Sequence, residues 1–519
     1  MGQPGKQKND PDYFLDDGPN EACGVAAVYL KRSRQEVVEY IRAMLLKMQN
    51  RGQLSAGLTT YHPNRTHLLK THTDVGLVDQ VFRTYSPRKA EALREEYEAD
   101  RGIGHTRYAT TGGSDDDDLD LTQPFVREHG RTWKWFSFCF NGTISNYREL
   151  AQELSEYHLR YDNDTEILSH CIAKELSGDE KPELEQVFTW LAAKLDGGYV
   201  LSMINGDGDI AVVRDPHGIK PAVYGETEDG IFVASETHAL ELFDLDYVEP
   251  LPPGHLLTII DGELKITRVA EPKPRAHCFF EWIYFANPTS VIDDVSVYHV
   301  RKRVGHLLAA HDDFSMEDRP VVVPVPHSSV LAAVGYANKA SVPLEFGIIK
   351  SNFSGRTFIE KNDQLGKVAR AYAYQREVIE NRTVILVDDS LVRGHSLKEI
   401  LDHLRRLNPR AIHLRIACPP ILSPCFYGID MSTFTELYAT AFMEGYDDLC
   451  DDNLDRMARS LGVDSLRYAS VAEVCQASGL NQDELCFGCV LSKYPTLYAN
   501  LLANSLREGQ RVLPLLRTA

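Results

Sequence analysis

Residues 384–396 read VILVDDSLVRGHS. The apolar run at the start predicts a buried strand, and two carboxylates, Asp388 and Asp389, stand where that strand ends. A short glycine-containing loop follows, and after it a helix begins. Ligands of open parallel sheets bind beyond the carboxyl ends of the strands. This stretch therefore predicts an α/β domain with a binding site at its strand ends.

The sequence on either side of this stretch predicts two domains. From residue 319 onward, apolar runs alternate with helical stretches, which is typical of a parallel sheet with crossover helices; the runs are PVVVPVP, PLEFGIIK, TVILVDD and AIHLRIACPP, and the helical stretches are SVLAAVGYANKA and SLKEILDHLRRL. Residues 24–260 contain short β-rich runs separated by Gly, Asp and Asn, such as GVAAVYL, YVLSMING, DIAVVRD and GIFVASE, which predict a layered α+β domain. The proline-rich EPKPRA at 271–276 predicts an exposed connector. We expect domains at 23–270 and 277–500.

Composition excludes several classes of protein. The chain has 519 residues, of which 43% are hydrophobic, so it can form at least two cores. Its net charge of -20 argues against a nucleic-acid partner, because binding to a phosphate backbone needs basic faces. No apolar run is long enough for a signal peptide or a membrane span, which predicts a cytoplasmic protein with no membrane partner. The acidic run at 115–120 predicts a solvated loop rather than a calcium site, which needs spaced ligands.

Cys23 lies in NEACGV, directly before a predicted strand. Taken alone, such a cysteine is more often a buried structural thiol than a catalyst. Five polar fragments downstream change this reading: RGQLSAG at 51–57, GHTRYATTGG at 104–113, FNGTISNYREL at 140–150, NDTE at 163–166 and RDPHGIKP at 214–221. Together with Cys23 they resemble the class II glutamine amidotransferases, which have an N-terminal-nucleophile αββα fold. The resemblance implies that residues 1–22 are a propeptide, whose removal leaves Cys23 with a free α-amino group.

This resemblance assigns roles that suit the chemistry. The Cys23 thiol must become a thiolate to attack an amide, and the adjacent α-amine can accept its proton. Arg107 would bind the glutamine α-carboxylate with its guanidinium fork, and Asp164 would bind the α-ammonium. Asn141 and Gly142 would form the oxyanion hole that stabilises the tetrahedral intermediate.

The stretch VILVDDSLVRGHS at 384–396 resembles the phosphoribosyltransferase signature. By spacing alone, a response-regulator or hydrolase fold is an alternative. PVPHSSVLAAVGYANKASVP at 324–343 resembles that family's diphosphate loop and helix, and KSNFSGRTF at 350–358 resembles its mobile segment. The resemblance implies that Asp388 and Asp389 hold the ribose hydroxyls directly or through Mg²⁺, with Ser328 near the metal and diphosphate. The loop that would cradle the 5′-phosphate contains Ser390, Arg393, Gly394, His395 and Ser396.

Four cysteines form a further candidate site. CFGC at 486–489 has metal-ligand spacing but supplies only half of a site. Cys278 in HCFFEWIYFANPTS and Cys425 in SPCFYGIDMS complete a set with Cys486 and Cys489 that resembles the iron–sulfur subset of amidophosphoribosyltransferases. The resemblance implies a [4Fe–4S] cluster, although zinc would satisfy the same thiolates. The other cysteines are expected to be core thiols; they are Cys139, Cys171, Cys418, Cys450 and Cys475.

The three constellations together resemble the glutamine phosphoribosylpyrophosphate (PRPP) amidotransferase family over nearly the whole chain. Membership implies synthesis of 5-phosphoribosylamine from glutamine and PRPP, the first committed step of purine synthesis, by a homo-oligomer. Four positions depart from the family pattern, namely Asn50, Asn287, His327 and His395, and the stretch KVARAYAYQ at 367–375 lacks the family's usual basic run. They leave open a paralogue with a changed ammonia acceptor, or a catalytically silent PRPP-binding protein.

Overall fold

The computed structural model describes residues 23–31, 36–107, 121–160, 163–350 and 372–508. They form two compact units. The first, here called the N-terminal unit, contains the described residues up to Val300 together with Ser423–Phe434 and 478–508. The second, here called the central unit, contains Arg301–Leu422 and Thr435–Ala477. The predicted propeptide, the acidic run at 115–120 and nearly all of the predicted mobile segment at 350–358 lie outside the described residues.

The N-terminal unit contains two antiparallel sheets. The seven-stranded sheet has the order β11-β9-β10-β1-β4-β2-β3, with β1 (Gly24–Leu30), β2 (Ser55–Tyr61), β3 (Leu69–Val75), β4 (Arg101–Arg107), β9 (Val223–Glu226), β10 (Gly230–Ala234) and β11 (Tyr247–Pro250). The six-stranded sheet has the order β13-β12-β8-β7-β6-β5, with β5 (Phe125–Arg127), β6 (Phe136–Ile144), β7 (Gly197–Asn205), β8 (Ile210–Arg214), β12 (His255–Ile260) and β13 (Glu263–Arg268). Its helices are α1 (Val37–Lys47), α2 (Val78–Val81), α3 (Pro87–Tyr97), α4 (Tyr147–Glu153), α5 (Asp164–Glu175), α6 (Leu184–Lys194) and α7 (Thr237–Leu240).

Three hydrophobic clusters show that these elements form four layers. Alternate residues of a strand point to opposite faces of the sheet. In β1, Val25 and Ala27 belong to the cluster between the two sheets, whereas Ala26 and Val28 pack with α1. The other face of the six-stranded sheet packs on α5 and α6. Because both faces of the central strands are covered, these strands have continuous apolar runs, and the predicted αββα architecture is confirmed.

The central unit is built on a parallel sheet of four strands, in the order β17-β20-β21-β22. Its strands are β17 (Pro320–Pro324), β20 (Thr383–Asp388), β21 (Ala411–Ile416) and β22 (Ser465–Tyr468), and an antiparallel pair is formed by β18 (Ile348–Lys350) and β19 (Tyr372–Tyr374). The helices are α8 (Val297–Ala309), which begins within the N-terminal unit, α9 (Val330–Ala340), α10 (Arg376–Ile379), α11 (His395–Arg406), α12 (Asp451–Leu461) and α13 (Val471–Ser478). This is the predicted phosphoribosyltransferase-like α/β architecture.

One predicted strand differs from the structure. PLEFGIIK does not form a continuous strand of the parallel sheet: Leu344 makes an isolated bridge to Val322, and only the last three residues form β18, which pairs with β19. Glu345 donates its N–H to the Val322 carbonyl, and Pro343 has no N–H to extend the ladder. Most of the run is not buried: Phe346 is 52% exposed and Ile349 is 42% exposed, so its apolar residues do not mark a strand of the core.

The remaining elements of the N-terminal unit, which include those that carry Cys278, Cys486 and Cys489, are mostly short. They form β14 (His277–Cys278), a π-helical turn at Glu281–Phe285, β15 (Val291–Ile292), β16 (Val295–Ser296), β23 (Leu485–Cys486), α14 (Gly488–Leu491) and α15 (Leu497–Arg507). The EPKPRA segment is exposed at 271–275, as expected of a connector. The domain limits 23–270 and 277–500 stay a prediction. Among the helices in the described part of the chain, none has both the length and the apolar composition needed to cross a bilayer.

Candidate functional site

Cys23 directly precedes β1, the middle strand of the seven-stranded sheet, and its side chain is largely buried. Strand alternation predicts which residues share its face. Val25 of β1 and Ile103 of β4 point between the sheets, so Cys23 and Arg107 take the same side of their strands. Arg107, the last residue of β4, is buried at 3% exposure. The predicted nucleophile and the predicted carboxylate-binding residue therefore lie at the ends of neighbouring strands.

Asn141 and Gly142 are on β6, in the facing sheet. Asn141 is 1% exposed, and its Nδ2 has no hydrogen-bond partner among the described residues. An unsatisfied buried amide is costly, so such a donor is expected to bind a ligand. Gly142 has φ +136°, and a Cβ at this position would clash with the carbonyl oxygen of Gly198. Only glycine fits here.

Asp164 is the first residue of α5. The helix is capped by Asn163, whose side chain accepts a hydrogen bond from the Glu166 N–H at 2.8 Å. Asp164 Oδ2 accepts the N–H of Ile144 at 3.1 Å, which joins the carboxylate to the strand that carries Asn141. Burial raises the pKa of Asp164 to about 6, against the opposing effect of its hydrogen bonds.

Sequence reasoning missed two neighbours of this site. Cys139, expected to be only a core thiol, shares the inter-sheet face of β6, and burial together with the nearby Cys23 raises its pKa well above the ordinary value. His105 of β4 is fully buried, and its Nε2 lies 3.2 Å from the Phe140 carbonyl oxygen. Burial lowers the pKa of His105 to about 3, so the imidazole is neutral. Strand alternation could have placed both side chains on the inter-sheet face, but it could not have shown that Cys139 lies near Cys23.

A buried charge cluster supports the segment after β14. Arg51 forms ion pairs with Glu236 and with Glu281, the second at 2.6 Å between Nη2 and Oε2. Burial alone would lower the pKa of Arg51, but the two carboxylates raise it above its ordinary value. Asn50, where the family frequently has histidine, donates to Glu236 and to the Phe285 carbonyl oxygen at 3.0 and 2.9 Å.

In the central unit, the predicted diphosphate residues come together at the carboxyl ends of β17 and β20. Ser328 Oγ donates a hydrogen bond to Asp389 Oδ2, and Ser390 Oγ donates to Asp389 Oδ1 at 2.7 Å. The Asp389 N–H donates to Asp388 Oδ1 at 2.9 Å. Asp389 is buried, and Asp388 is more exposed. The arrangement gathers carboxylate and hydroxyl oxygens, the ligands that a hard divalent cation prefers.

The predicted phosphate loop leads into α11. Gly394 caps this helix with φ +83°, and His395 and Ser396 are the first two helical residues. His395 is exposed. The Arg393 guanidinium binds Glu436, with Nη2 and Nε at 2.7 and 3.0 Å from Oε2. The loop therefore presents a helix N-terminus, a favourable environment for a phosphate, while its arginine has a carboxylate partner within the unit.

His327 belongs to the predicted diphosphate loop, where the family usually has an acid. Partial burial and the charge of Lys350 lower its pKa. A neutral imidazole therefore stands at a position where an acid would carry a negative charge.

The four predicted cluster cysteines lie in segments that contact one another. Cys278 and Cys486 are directly paired in the parallel strands β14 and β23. The Ser423 N–H donates to the Cys489 carbonyl oxygen at 2.9 Å, and the Tyr427 N–H contacts Cys425 Sγ at 3.4 Å. Burial raises the pKa of Cys278 to about 12. Within the described ranges, no group of three or more His, Cys, Asp or Glu side chains is spaced to hold a metal ion.

The expectation for the remaining cysteines is wrong in one case. Cys139, Cys171 and Cys418 are buried, as expected, but Cys450 is exposed. It is the residue before α12 and is followed by the exposed Asp451 and Asp452, so it stands at an exposed helix start. Cys475 is only partly buried on α13.

Two family models match the chain. Residues 105–242 match the glutamine amidotransferase domain, and residues 297–419 match the phosphoribosyl transferase domain. The amidophosphoribosyltransferase of Methanothermobacter thermautotrophicus is 36% identical over 482 residues, which cover 92% of this chain and 95% of the relative. That of Bacillus subtilis is 31% identical and covers 95% and 98%, respectively.

Solved structures agree with these matches. The glutamine PRPP amidotransferase from B. subtilis complexed with ADP and GMP superimposes with a TM-score of 0.78 at 30% identity, covering 92% of this chain and all of that one. A structure described as the allosteric regulatory enzyme of purine biosynthesis gives a TM-score of 0.79 at 30% identity and covers 93% of this chain. By fold, by both domain matches and by full-length similarity, the chain belongs to the amidophosphoribosyltransferase family.

Proposed function

We propose that this chain makes 5-phosphoribosylamine from glutamine and PRPP, with glutamine hydrolysis in the N-terminal unit and ribosyl transfer in the central unit. The observation that carries the proposal is the buried Asn141 amide, whose Nδ2 has no partner among the described residues and stands beside Gly142. A silent PRPP-binding protein has no use for such a donor. Relatives that carry the amidophosphoribosyltransferase name match over more than nine-tenths of the chain, which disfavours a paralogue with a changed acceptor.

In the N-terminal unit, Cys23 Sγ attacks the carbonyl carbon of the glutamine side-chain amide and forms a tetrahedral intermediate. The bond between that carbon and the amide nitrogen then breaks, which leaves a thioester. The α-amine of Cys23, freed by removal of residues 1–22, accepts the thiol proton and returns it to the departing ammonia. Asn141 Nδ2 and the Gly142 N–H donate to the oxygen that becomes negative. Water then hydrolyses the thioester and releases glutamate.

Two charged residues hold the other end of glutamine. Arg107 binds the α-carboxylate, and Asp164 binds the α-ammonium. The raised pKa of Asp164 suits this task, because a substrate ammonium replaces the solvent that burial removed from the carboxylate. Both residues bind parts of the substrate that do not react, so they contribute mainly to affinity.

In the central unit, Asp388 and Asp389 bind the ribose hydroxyls, and the backbone amides between Ser390 and Ser396 bind the 5′-phosphate. The Ser328 hydroxyl lies beside Asp389. These oxygen donors fit Mg²⁺, which when bound would neutralise charge on the diphosphate leaving group. The protein's own contribution is to orient C1 of the ribose toward ammonia and to exclude water.

We assign a [4Fe–4S] cluster to Cys278, Cys425, Cys486 and Cys489, because Cys278 and Cys486 are paired in β14 and β23 and a backbone hydrogen bond joins the segments of Cys425 and Cys489. The cluster would tie these segments together. Protein purified without oxygen should be brown, with about four irons per chain, and Cys486→Ser should lose both colour and iron. A colourless, zinc-loaded and fully active protein would refute the assignment. Assembly as a homo-oligomer and a cytoplasmic location stay predictions.

The test of the proposed function is Cys23→Ala, assayed with two nitrogen sources. We expect glutamine-dependent synthesis of phosphoribosylamine to fall by at least about 10³-fold, because the nucleophile is gone. Synthesis from added ammonia should persist, since it does not use Cys23. Equal loss of both activities would contradict a two-site enzyme.

A further inference from the structure

The segment Ser423–Phe434, here called the Cys425 segment, lies directly behind the oxyanion glycine. It belongs to the N-terminal unit although it is far away in sequence. Gly428 has φ +94°, and a Cβ added to it would lie 3.2 Å from both the Cα and the carbonyl carbon of Gly142. The two glycines therefore touch backbone to backbone, with no side chain between them.

Two further contacts join the Cys425 segment to the same strand end. Ser145 Oγ donates to the Phe426 carbonyl oxygen at 2.9 Å, in the interior. A Cβ added to Gly198 would lie 3.1 Å from Tyr427 Cβ. Gly198 is also the residue whose carbonyl oxygen leaves no room for a side chain at Gly142. Successive residues of the segment thus contact both strands that surround Gly142.

The other side of the Cys425 segment is held by the C-terminal part of the unit. Tyr494 donates its hydroxyl to the Pro424 carbonyl oxygen at 2.6 Å. The hydroxyls of Tyr427 and Thr496 lie 3.0 Å apart, and the Thr496 N–H donates to the Tyr427 oxygen at 3.2 Å. The segment is thereby clamped between the oxyanion strand and the residues that follow the last two cysteines.

We propose that the Cys425 segment is the positioning element of the oxyanion hole, with Gly428 and the Phe426 carbonyl fixing the backbone from Gly142 to Ser145. Glycine in a positive-φ conformation has no side chain to anchor it, so its N–H direction depends on its neighbours. Oxyanion donors stabilise a transition state only when they are held in place beforehand. The inference rests on the proposed function, because it assumes that Gly142 donates to the oxyanion.

The sharpest test is Gly428→Ala, which inserts a methyl group against the Gly142 backbone. We expect kcat for glutamine hydrolysis to fall by roughly 10–100-fold, with KM for glutamine changed less than about threefold, because only transition-state binding is altered. Ammonia-dependent synthesis should be unchanged. Gly178→Ala is the matched control: Gly178 has φ +96° but nothing within 4 Å of an added Cβ, and its kcat should stay within about twofold.

A second pair of variants covers the case in which Gly428→Ala does not fold. Ser145→Ala removes the hydrogen bond to Phe426 and should lower kcat severalfold, whereas Ser145→Thr keeps the hydroxyl and should restore it. An aldehyde analogue of glutamine, which adds the Cys23 thiol to form a tetrahedral adduct, should bind more weakly to Ser145→Ala. Binding of the product glutamate should be unaffected. A rise in KM at constant kcat, or equal weakening of aldehyde and glutamate, would overturn the proposal.

Asn141→Ala separates failure of this inference from failure of the proposed function. If Asn141→Ala leaves glutamine hydrolysis intact, the oxyanion assignment itself is wrong. If Asn141→Ala lowers kcat while Gly428→Ala and Ser145→Ala do not, the oxyanion hole is correctly placed and the Cys425 segment does not position it.

Discussion

The site around Cys23 and the site around Asp389 are built differently. In the first, Cys23 and Arg107 lie at the ends of neighbouring strands, Asn141 lies on β6 of the facing sheet, and each is at most 8% exposed. In the second, Asp389 is buried at 5%, but Ser328 is only partly buried and His395 is exposed. A site formed by strands is preorganised before the substrate binds, whereas a site formed by loops at strand ends becomes ordered when its ligand binds. Substitutions of the oxyanion donors should therefore act on kcat in the first site, whereas substitutions at the exposed edge of the second site should act on substrate binding.

The largest effect is expected from Asp389→Asn, which keeps the side-chain shape and an acceptor for the Ser390 hydroxyl but removes the charge. Synthesis should fall by at least about 10³-fold with either nitrogen source, because the carboxylate serves the step that both share. Glutamine hydrolysis measured without PRPP should be retained. Survival of ammonia-dependent synthesis would show that Asp389 is structural and that the ribosyl-transfer site lies elsewhere in the protein.

Asn141→Ala is expected to have the next largest effect. Removing one oxyanion donor costs about 10²–10³-fold in kcat in enzymes of this kind. Because Nδ2 of Asn141 has no partner among the described residues, its loss should not destabilise the fold, and the melting temperature is the control. A drop in melting temperature with unchanged kcat would mean that Asn141 supports the sheet rather than the reaction.

Asp164→Asn tests substrate binding in the first site. We expect KM for glutamine to rise by about 10–100-fold, the effect of losing a hydrogen bond to a charged group. In the native protein, kcat/KM for glutamine should fall as pH drops through about 6, where Asp164 becomes protonated and no longer attracts the α-ammonium. The variant should lack this step, and an identical pH profile for both proteins would exclude Asp164 as its source.

The same carboxylate should affect stability in the opposite direction. The folded-state pKa of about 6 lies above the ordinary value of 3.8, so ligand-free protein loses stability as pH rises through that interval. Asp164→Asn removes this penalty. Its free energy of unfolding relative to the native chain should be higher at about pH 7.5 than at about pH 4 by roughly 1–3 kcal/mol. Denaturant unfolding at the two pH values measures the difference, and an equal value at both would show that Asp164 is solvated.

The smallest effect is expected from His395→Thr. His395 is exposed at the first residue of α11, and threonine restores the hydroxyl that the family usually has there. The half-saturation concentration of PRPP should change by less than about tenfold, the value of one neutral hydrogen bond. A change of several hundredfold would mean that this loop, too, is fixed before PRPP binds.

The sequence predicted strands best where both faces are covered. Residues of GVAAVYL form β1 without an offset, and DIAVVRD and TVILVDD contain β8 and β20. Strand β22 was not anticipated, because only four residues at 465–468 form it and their apolar positions are few. PLEFGIIK has the apolar content of a full strand, but apolar content alone does not distinguish a paired strand from a segment that is mostly unpaired and exposed.

For the candidate sites, the sequence predicts the residues that belong to recognisable motifs. It does not predict the contacts between those residues. Asn141 and Gly142 could be proposed from the joint resemblance of FNGTISNYREL and the other fragments to the amidotransferase family, but the missing partner of the amide is visible only in three dimensions. The proximity of Cys139 to Cys23 depends on two strands from different sheets, which no spacing in the chain records. The contact between Gly428 and Gly142 joins positions so distant in sequence that only the folded unit shows it.

The buried cluster of Arg51, Glu236 and Glu281 also restricts how this protein can diverge. Each member is at most 2% exposed at its side chain, so losing one charge leaves the others uncompensated in the interior. Lysine cannot replace the guanidinium, which reaches two carboxylates at once. A substitution at one of these positions therefore requires compensating substitutions at the other two. We expect the three residues to covary among relatives, although they are far apart in the sequence.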